Sequence, residues 1–159
     1  MRLARFEELA RWPGMGPAKA TSVVAALSLG HRAERSEDRV VIRSADDVAR
    51  VANEYLAGLR RERVIVLVCD SRNAVYKVVV VADGSLDRSM FPIREILNAV
   101  LRNDGRAFAI AHNHPGGDAA PSADDASVTK LLQEASSKVG LRMLGHVIVT
   151  DCAWALVKP

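Results

Sequence analysis

Two histidines two residues apart, His112 and His114, are followed a short way along the chain by Ser122 and Asp125, and these four side chains could do chemistry together. Imidazole nitrogens and a carboxylate are the donor set of a borderline-soft divalent cation, zinc foremost. An apolar run over residues 107–111 leads into His112 and reads as a buried strand. Residues i and i+2 at a strand end point to the same side, so both rings can reach one ion. Asp125 falls in the first turn of a helix opened by Ser122, and Gly116 and Gly117 allow the intervening loop to fold back toward the imidazoles. Three protein ligands leave one position open on zinc, which is the arrangement of a catalytic rather than a structural site. The same four residues 122–125 also form an ordinary capping box, Ser122 at the N-cap and Asp125 at N3. Both readings of Asp125 stand at this point.

The elements that must position these groups follow from pattern. Residues 6–12 read as a short helix, Pro13-Gly14-Met15-Gly16-Pro17 as a turn, and residues 18–29 as an Ala-rich helix ending at Gly30. Residues 31–39 are charged and read as a linker, placing a boundary near Arg39 between a segment 1–39 and a domain 40–159. Ser44, with Asp47 at the capping-box spacing, opens a helix reaching residues 58–60 whose apolar face is Val48, Val51, Ala52, Tyr55 and Leu59. Residues 63–69 and 75–82 read as a β-hairpin around a turn at 70–73. A helix over 92–102 precedes the strand of His112, and a helix over 122–139 follows its loop. Strands over 146–150 and 153–157 close the chain around Asp151. Hairpins mixed with helices predict an α/β fold with a mixed, largely antiparallel sheet flanked by helices and preceded by a small helical hairpin.

Composition narrows the classes. The chain has 159 residues, 49% of them hydrophobic, which supports one buried core. Its formal charge of +3 is too small to imply nucleic-acid binding by itself. Cys69 and Cys152 lie far apart in apolar surroundings, so they read as buried packing residues rather than as a disulfide, a zinc knuckle or nucleophiles. No apolar run is long enough for a membrane span, and no h-region opens the chain, so a soluble cytoplasmic protein is expected.

The run His112-Asn113-His114, the seven residues from Pro115 to Pro121, and Ser122-Ala123-Asp124-Asp125 resemble the signature of JAMM (MPN+) metalloproteases. His-Asn-His-Pro with the Gly-Asp that follows, and the upstream Gly14-Met15-Gly16-Pro17-Ala18-Lys19-Ala20, look like the RadC-like branch of that family. The resemblance covers nearly the whole chain. It implies a helix-hairpin-helix followed by an MPN (cytidine-deaminase-like) domain, with a longer N-terminal region of that branch absent or shortened. It also implies zinc bound by His112, His114 and Asp125, with Ser122 hydrogen-bonding the water or the oxyanion formed on attack at an amide. A glutamate acts as general base in that family. Glu62, just before the strand 63–69, matches its position, and Glu95 is a rival that only geometry can separate from it.

Weaker candidates complete the reading. His146 is either a partner of a ligand or a strand-end side chain. Asn113 could orient substrate or a loop carbonyl, and Asp118 could brace the loop as an Asx-turn. Lys19 and Thr21 stand where a glycine hairpin approaches a DNA phosphate, so weak, salt-sensitive DNA contact through residues 13–21 is expected. Seven Lys or Arg against five Asp or Glu in residues 1–39 give no basis for tight binding. Two functions result. One is a zinc-dependent peptidase or isopeptidase of unknown substrate, and the other a DNA-associated repair or recombination protein with a structural or vestigial metal site.

Overall fold

The structure, a computed structural model, describes residues 6–33, 39–84 and 91–159. It divides into two compact units, Met1–Arg39 and Val40–Pro159.

The first unit holds α1 (Phe6–Leu9) and α2 (Gly16–Ala33), which pack on each other with Leu9 and Ala20 buried. α1 is shorter than its sequence pattern, stopping ahead of Trp12, which is exposed. α2 starts at Gly16, earlier than residue 18, and runs through Gly30 to Ala33, so Gly30 is not its terminator and residues 31–33 are helix rather than linker. An interior glycine costs about 1 kcal/mol of helix propensity, too little to end a helix whose flanking residues are good formers. The rest of the expected linker, 34–38, lies outside the described residues. Lys19 Nζ donates to the Gly14 carbonyl at 3.1 Å and Thr21 Oγ1 to the Pro17 carbonyl at 3.0 Å. Both side chains nominated for phosphate thus hydrogen-bond their own backbone.

The second unit is built on a five-stranded sheet of order β2-β1-β3-β4-β5: β1 (Arg63–Cys69), β2 (Val75–Asp83), β3 (Ala107–Asn113), β4 (Arg142–Val149) and β5 (Trp154–Leu156). The β3–β4 pair is parallel, and β1–β2, β1–β3 and β4–β5 are antiparallel. The β1–β2 turn is fixed by Asp70, whose Oδ1 accepts from the Arg72 and Ala74 amides at 2.8 and 3.0 Å. β1 and β3 read as unbroken apolar runs because both are central strands covered on both faces.

Helix α3 (Ala45–Leu56) packs on one face against Ile65, Leu67, Ala109, Ala111, Val147 and Val149. Its capping box is formed, Ser44 Oγ accepting from the Asp47 amide and Asp47 returning a bond to the Ser44 amide. Its buried face is Val48, Ala49, Val51, Ala52 and Leu56. Tyr55, read as part of that face, is exposed, because the stripe drifts by a residue to Leu56 as the helix ends ahead of Gly58 at φ 72°. Helices α4 (Ile93–Arg102) and α5 (Ala123–Lys138) cover the opposite face, enclosing Val64, Val66, Val68, Phe108 and Ile110 with Ile96, Val100 and Leu132.

Several strand boundaries move. β3 extends through Asn113, and β4 begins at Arg142 rather than at residue 146, because parallel pairing with β3 recruits four more residues. β5 is trimmed to three residues at the sheet edge. Cys69 is buried as expected, and burial pushes its thiol up to about 12. Cys152, also expected to be buried, is exposed, because it sits in the turn at Asp151 that joins β4 to β5. Among the described residues no helix is long and apolar enough to cross a membrane.

Gly105 shows how tightly the approach to β3 is packed. A Cβ built there would stand 2.6 Å from Val100 Cγ1 and 2.8 Å from Val68 Cγ1, both buried. Gly105→Ala is therefore expected to destabilise the domain by about 1–3 kcal/mol in equilibrium denaturation. An unchanged midpoint would show that the α4–β3 junction yields freely.

Candidate metal centre

Strand alternation does the first sorting at the end of β3. His112 falls on the α4/α5 face with Phe108 and Ile110, and its ring is fully buried. Asn113 turns to the other face. His114 lies one residue past the strand, but its amide still donates to the Val149 carbonyl at 3.1 Å, so the chain keeps tracking β4 and returns the second imidazole to the side of the first. The rings converge: His112 Nε2 and His114 Nε2 are 3.1 Å apart. Two nitrogens each about 2.0–2.1 Å from one zinc ion lie roughly 3 to 4 Å from each other, so this separation suits a shared cation.

The loop after His114 secures that ring. His114 Nδ1 lies 2.8 Å from the Asp118 carbonyl oxygen, which can only accept, so Nδ1 carries a proton and Nε2 is the nitrogen turned to His112. Gly117 makes the reversal possible, since its φ of 83° is open to glycine and its amide closes a turn onto the His114 carbonyl. Gly116, read as a second hinge, has no such φ. Asp118 also forms the expected Asx-turn, its Oδ1 accepting from the Ala120 amide at 2.8 Å.

Asp125 forms the capping box and also faces His112. Its Oδ2 accepts from the Ser122 amide at 2.8 Å and the Ser122 hydroxyl at 2.5 Å, completing the capping box, while its Oδ1 faces His112 Nε2 at 3.3 Å. Burial would raise this carboxyl, but the adjacent His112 ring and the hydrogen bonds from the Ser122 hydroxyl and amide outweigh it and hold Asp125 well below the usual carboxylate range. The single proton of the Ser122 hydroxyl is committed to Asp125 in this arrangement.

Glu62 reaches the pair from the neighbouring strand. Antiparallel pairing sets Val64 opposite His112, so Glu62, two residues before Val64, comes alongside His114. Its carboxylate and the ring nitrogens of His112 and His114 all lie within 4.8 Å of one another, and these three form the compact donor group found among the described residues. Glu95 is exposed on α4 and is not part of it. Asn113 holds the backbone on both sides of Glu62. Its Nδ2 donates to the Arg61 carbonyl at 3.0 Å and the Leu59 carbonyl at 3.4 Å, and its Oδ1 accepts from the Arg63 amide at 2.8 Å.

His146 is in the interior of β4 rather than at a strand end, opposite Ile110, and its ring is fully buried. Its Nε2 lies 2.9 Å from His112 Nδ1 and its Nδ1 lies 2.7 Å from Thr129 Oγ1. Burial, with the neighbouring His112 adding to it, lowers this imidazole to about 3. Phe91 stands over both rings, with centroids 6.2 Å from His112 and 5.8 Å from His146. Thr129 escaped the sequence reading. Its only trace there is its place one helical turn after Asp125, which turns it toward the sheet. A cavity of about 220 Å³ opens beside His114, lined by Leu56, Leu59, Thr150 and Cys152.

Fold and site define the class: an α/β domain whose central strand ends deliver two imidazoles and a carboxylate to one point, able to hold a metal ion. Residues 42–157 match the family model described as the RadC-like JAB domain. Similar proteins include a UPF0758 protein of Shouchella clausii, 37% identical over 157 residues, with 98% of this chain and 68% of that protein covered. Another is the UPF0758 protein YsxA of Bacillus subtilis, 33% identical over 160 residues, with 99% of this chain and 69% of that protein covered. The chain belongs to the RadC-like JAB-domain family.

The Asn113 clamp has a direct test. Asn113→Leu leaves the Arg61 carbonyl and the Arg63 amide without that partner and is expected to cost about 1–3 kcal/mol. Hydrogen exchange at the Arg63 amide should accelerate accordingly. Exchange as slow as in the wild type would mean that the β1–β3 ladder alone holds Glu62.

Proposed function

We propose that this chain is a zinc-dependent hydrolase of peptide or isopeptide bonds in which His112, His114 and Asp125 hold the metal, Glu62 moves the proton and Ser122 serves the reacting oxygen. The observation that carries the reading is the approach of the Glu62 carboxylate to within 4.8 Å of two imidazole nitrogens that already converge at 3.1 Å. The donor set suits zinc: two imidazoles and a carboxylate, with no thiolate in the group. A zinc ion bound there supplies Lewis acidity, which polarises a carbonyl and acidifies water.

The protein's own residues account for the remaining steps. Glu62, ionised, takes a proton from a water held between it and the imidazoles as the water oxygen bonds to the carbonyl carbon. It then gives that proton to the amine nitrogen as the carbon–nitrogen bond breaks, so no net proton is gained or lost by the protein. Asn113 keeps Glu62 at the required reach by pinning the backbone on either side of it. Negative charge gathers on the carbonyl oxygen, and Ser122 Oγ is the nearby hydroxyl donor proposed to meet it. For that the hydroxyl must rotate off Asp125 Oδ2, which the Ser122 amide continues to hold. Weak DNA contact through residues 13–21 and a cytoplasmic location are separate proposals on which this chemistry does not depend.

Elemental analysis of the purified protein is expected to find about one zinc ion per chain, lost in His114→Ala. Glu62→Gln should keep the metal and reduce turnover of a peptide or isopeptide substrate by at least about 100-fold, since general-base catalysis contributes ~10²–10⁴. Loss of zinc in Glu62→Gln would make Glu62 a ligand rather than the base. Absence of zinc from wild-type protein supplied with the ion would end the reading.

A further inference from the structure

We propose that Thr129 and His146 are positioning residues that fix His112 with its proton on Nδ1, so that its Nε2 presents a lone pair to a divalent cation. The proposal rests on the metal-binding reading above, but the proton arrangement it asserts can be read without any metal.

The argument starts from the far end of the chain of contacts. Thr129 Oγ1 lies 2.6 Å from the main-chain carbonyl oxygen of Asp125, one turn earlier on α5. Two oxygens that close repel unless a proton lies between them, and a carbonyl oxygen has none to give. The hydroxyl proton therefore points at Asp125, and a hydroxyl has only one. The 2.7 Å contact between Thr129 Oγ1 and His146 Nδ1 must then be donated by the ring, which puts a proton on His146 Nδ1.

The other nitrogen of His146 follows. The ring is fully buried, and among the described residues its two nitrogens meet only a hydroxyl and a second imidazole. An imidazolium there would be a buried charge with no anion among the described residues against either nitrogen, so the ring is neutral and its Nε2 can only accept. The 2.9 Å contact to His112 Nδ1 is consequently donated by His112. His112 carries its proton on Nδ1, and Nε2, facing His114 and Asp125, is its ligand nitrogen.

The contacts close a ring through one residue. The Asp125 carboxylate faces His112 Nε2 at 3.3 Å, and the Asp125 carbonyl anchors the relay that sets His112 Nδ1. The first turn of α5 thus places an oxygen ligand and fixes the tautomer of a nitrogen ligand together. A histidine ligand commonly donates its second N–H to a carboxylate or a carbonyl, which cannot be mistaken for a donor. Here the acceptor is another imidazole, which accepts only while its own proton is held elsewhere, and Thr129 holds it. Without the hydroxyl, His146 Nδ1–H loses its partner and the ring favours the Nε2–H form. That form donates to His112 Nδ1 and moves the His112 proton onto Nε2, where it covers the metal-binding lone pair.

The test has two arms. Imidazole ¹⁵N spectra of metal-free wild-type protein, with His146 assigned by its disappearance in His146→Gln, should show a protonated Nδ1 and an unprotonated Nε2 on His146. Zinc affinity is then measured against a competing chelator. Thr129→Val, which keeps the shape and removes the hydroxyl, should bind roughly 10- to 100-fold more weakly, and Thr129→Ser should stay within a few-fold of wild type. A His146 ring protonated on Nε2 in the wild type overturns the proposal, as does wild-type zinc affinity in a folded Thr129→Val. If that variant does not fold, the wild-type spectrum decides. If the wild type binds no zinc, the hydrolase reading fails while the same spectrum still tests the relay.

Discussion

Two imidazole nitrogens held 3.1 Å apart are the constraint around which this domain is organised. At that distance two bare lone pairs would repel, so the nitrogens either share a proton or face one cation. What the protein contributes is to remove every other choice from the rings. The Asp118 carbonyl takes the second nitrogen of His114, and His146 takes the second nitrogen of His112. The carboxylates of Asp125 and Glu62 then supply negative charge on the open side.

Holding that geometry requires a rigid frame, which the sheet provides. β3 is central, paired on both sides and buried along its whole length, so the end of the strand inherits the precision of the core. The parallel pair has a specific consequence. It carries β4 alongside β3 in the same direction, bringing His146 within reach of His112 from the next strand. Antiparallel pairing on the other side brings the start of β1, and with it Glu62, to the same end of the sheet. α5 completes the enclosure, its first turn carrying Ser122 and Asp125 and its second Thr129.

Much of this was legible in the sequence, and the reasons are local. The strand ending in His112, the capping boxes at Ser44 and Ser122, and the hairpin around residues 70–73 each rest on short-range chemistry that the chain spells out directly. The mixed sheet and the metal-ligand motif followed from these. What stayed hidden depends on pairing. Glu62 and Glu95 both precede or open elements near the site, and only the β1–β3 register separates one carboxylate from the other. His146 read as a strand end because the residues before it are not strongly apolar; pairing with β3, not propensity, makes them strand. Thr129 leaves no trace but its place one turn after Asp125, since a threonine inside a helix gains meaning only from the imidazole across from it. Cys152 misled in the opposite sense, its apolar neighbours belonging to two strands joined by the exposed turn it occupies.

The central claim is that both imidazoles and an oxygen donor meet on one ion. X-ray absorption at the zinc edge of the zinc-loaded protein tests it most directly. The account predicts two imidazole shells with the remaining ligands oxygen, all at ~2.0–2.2 Å, and no sulfur. Sulfur scattering at ~2.3 Å, which the exposed Cys152 beside His114 could supply, or a shell containing a single imidazole, would contradict it.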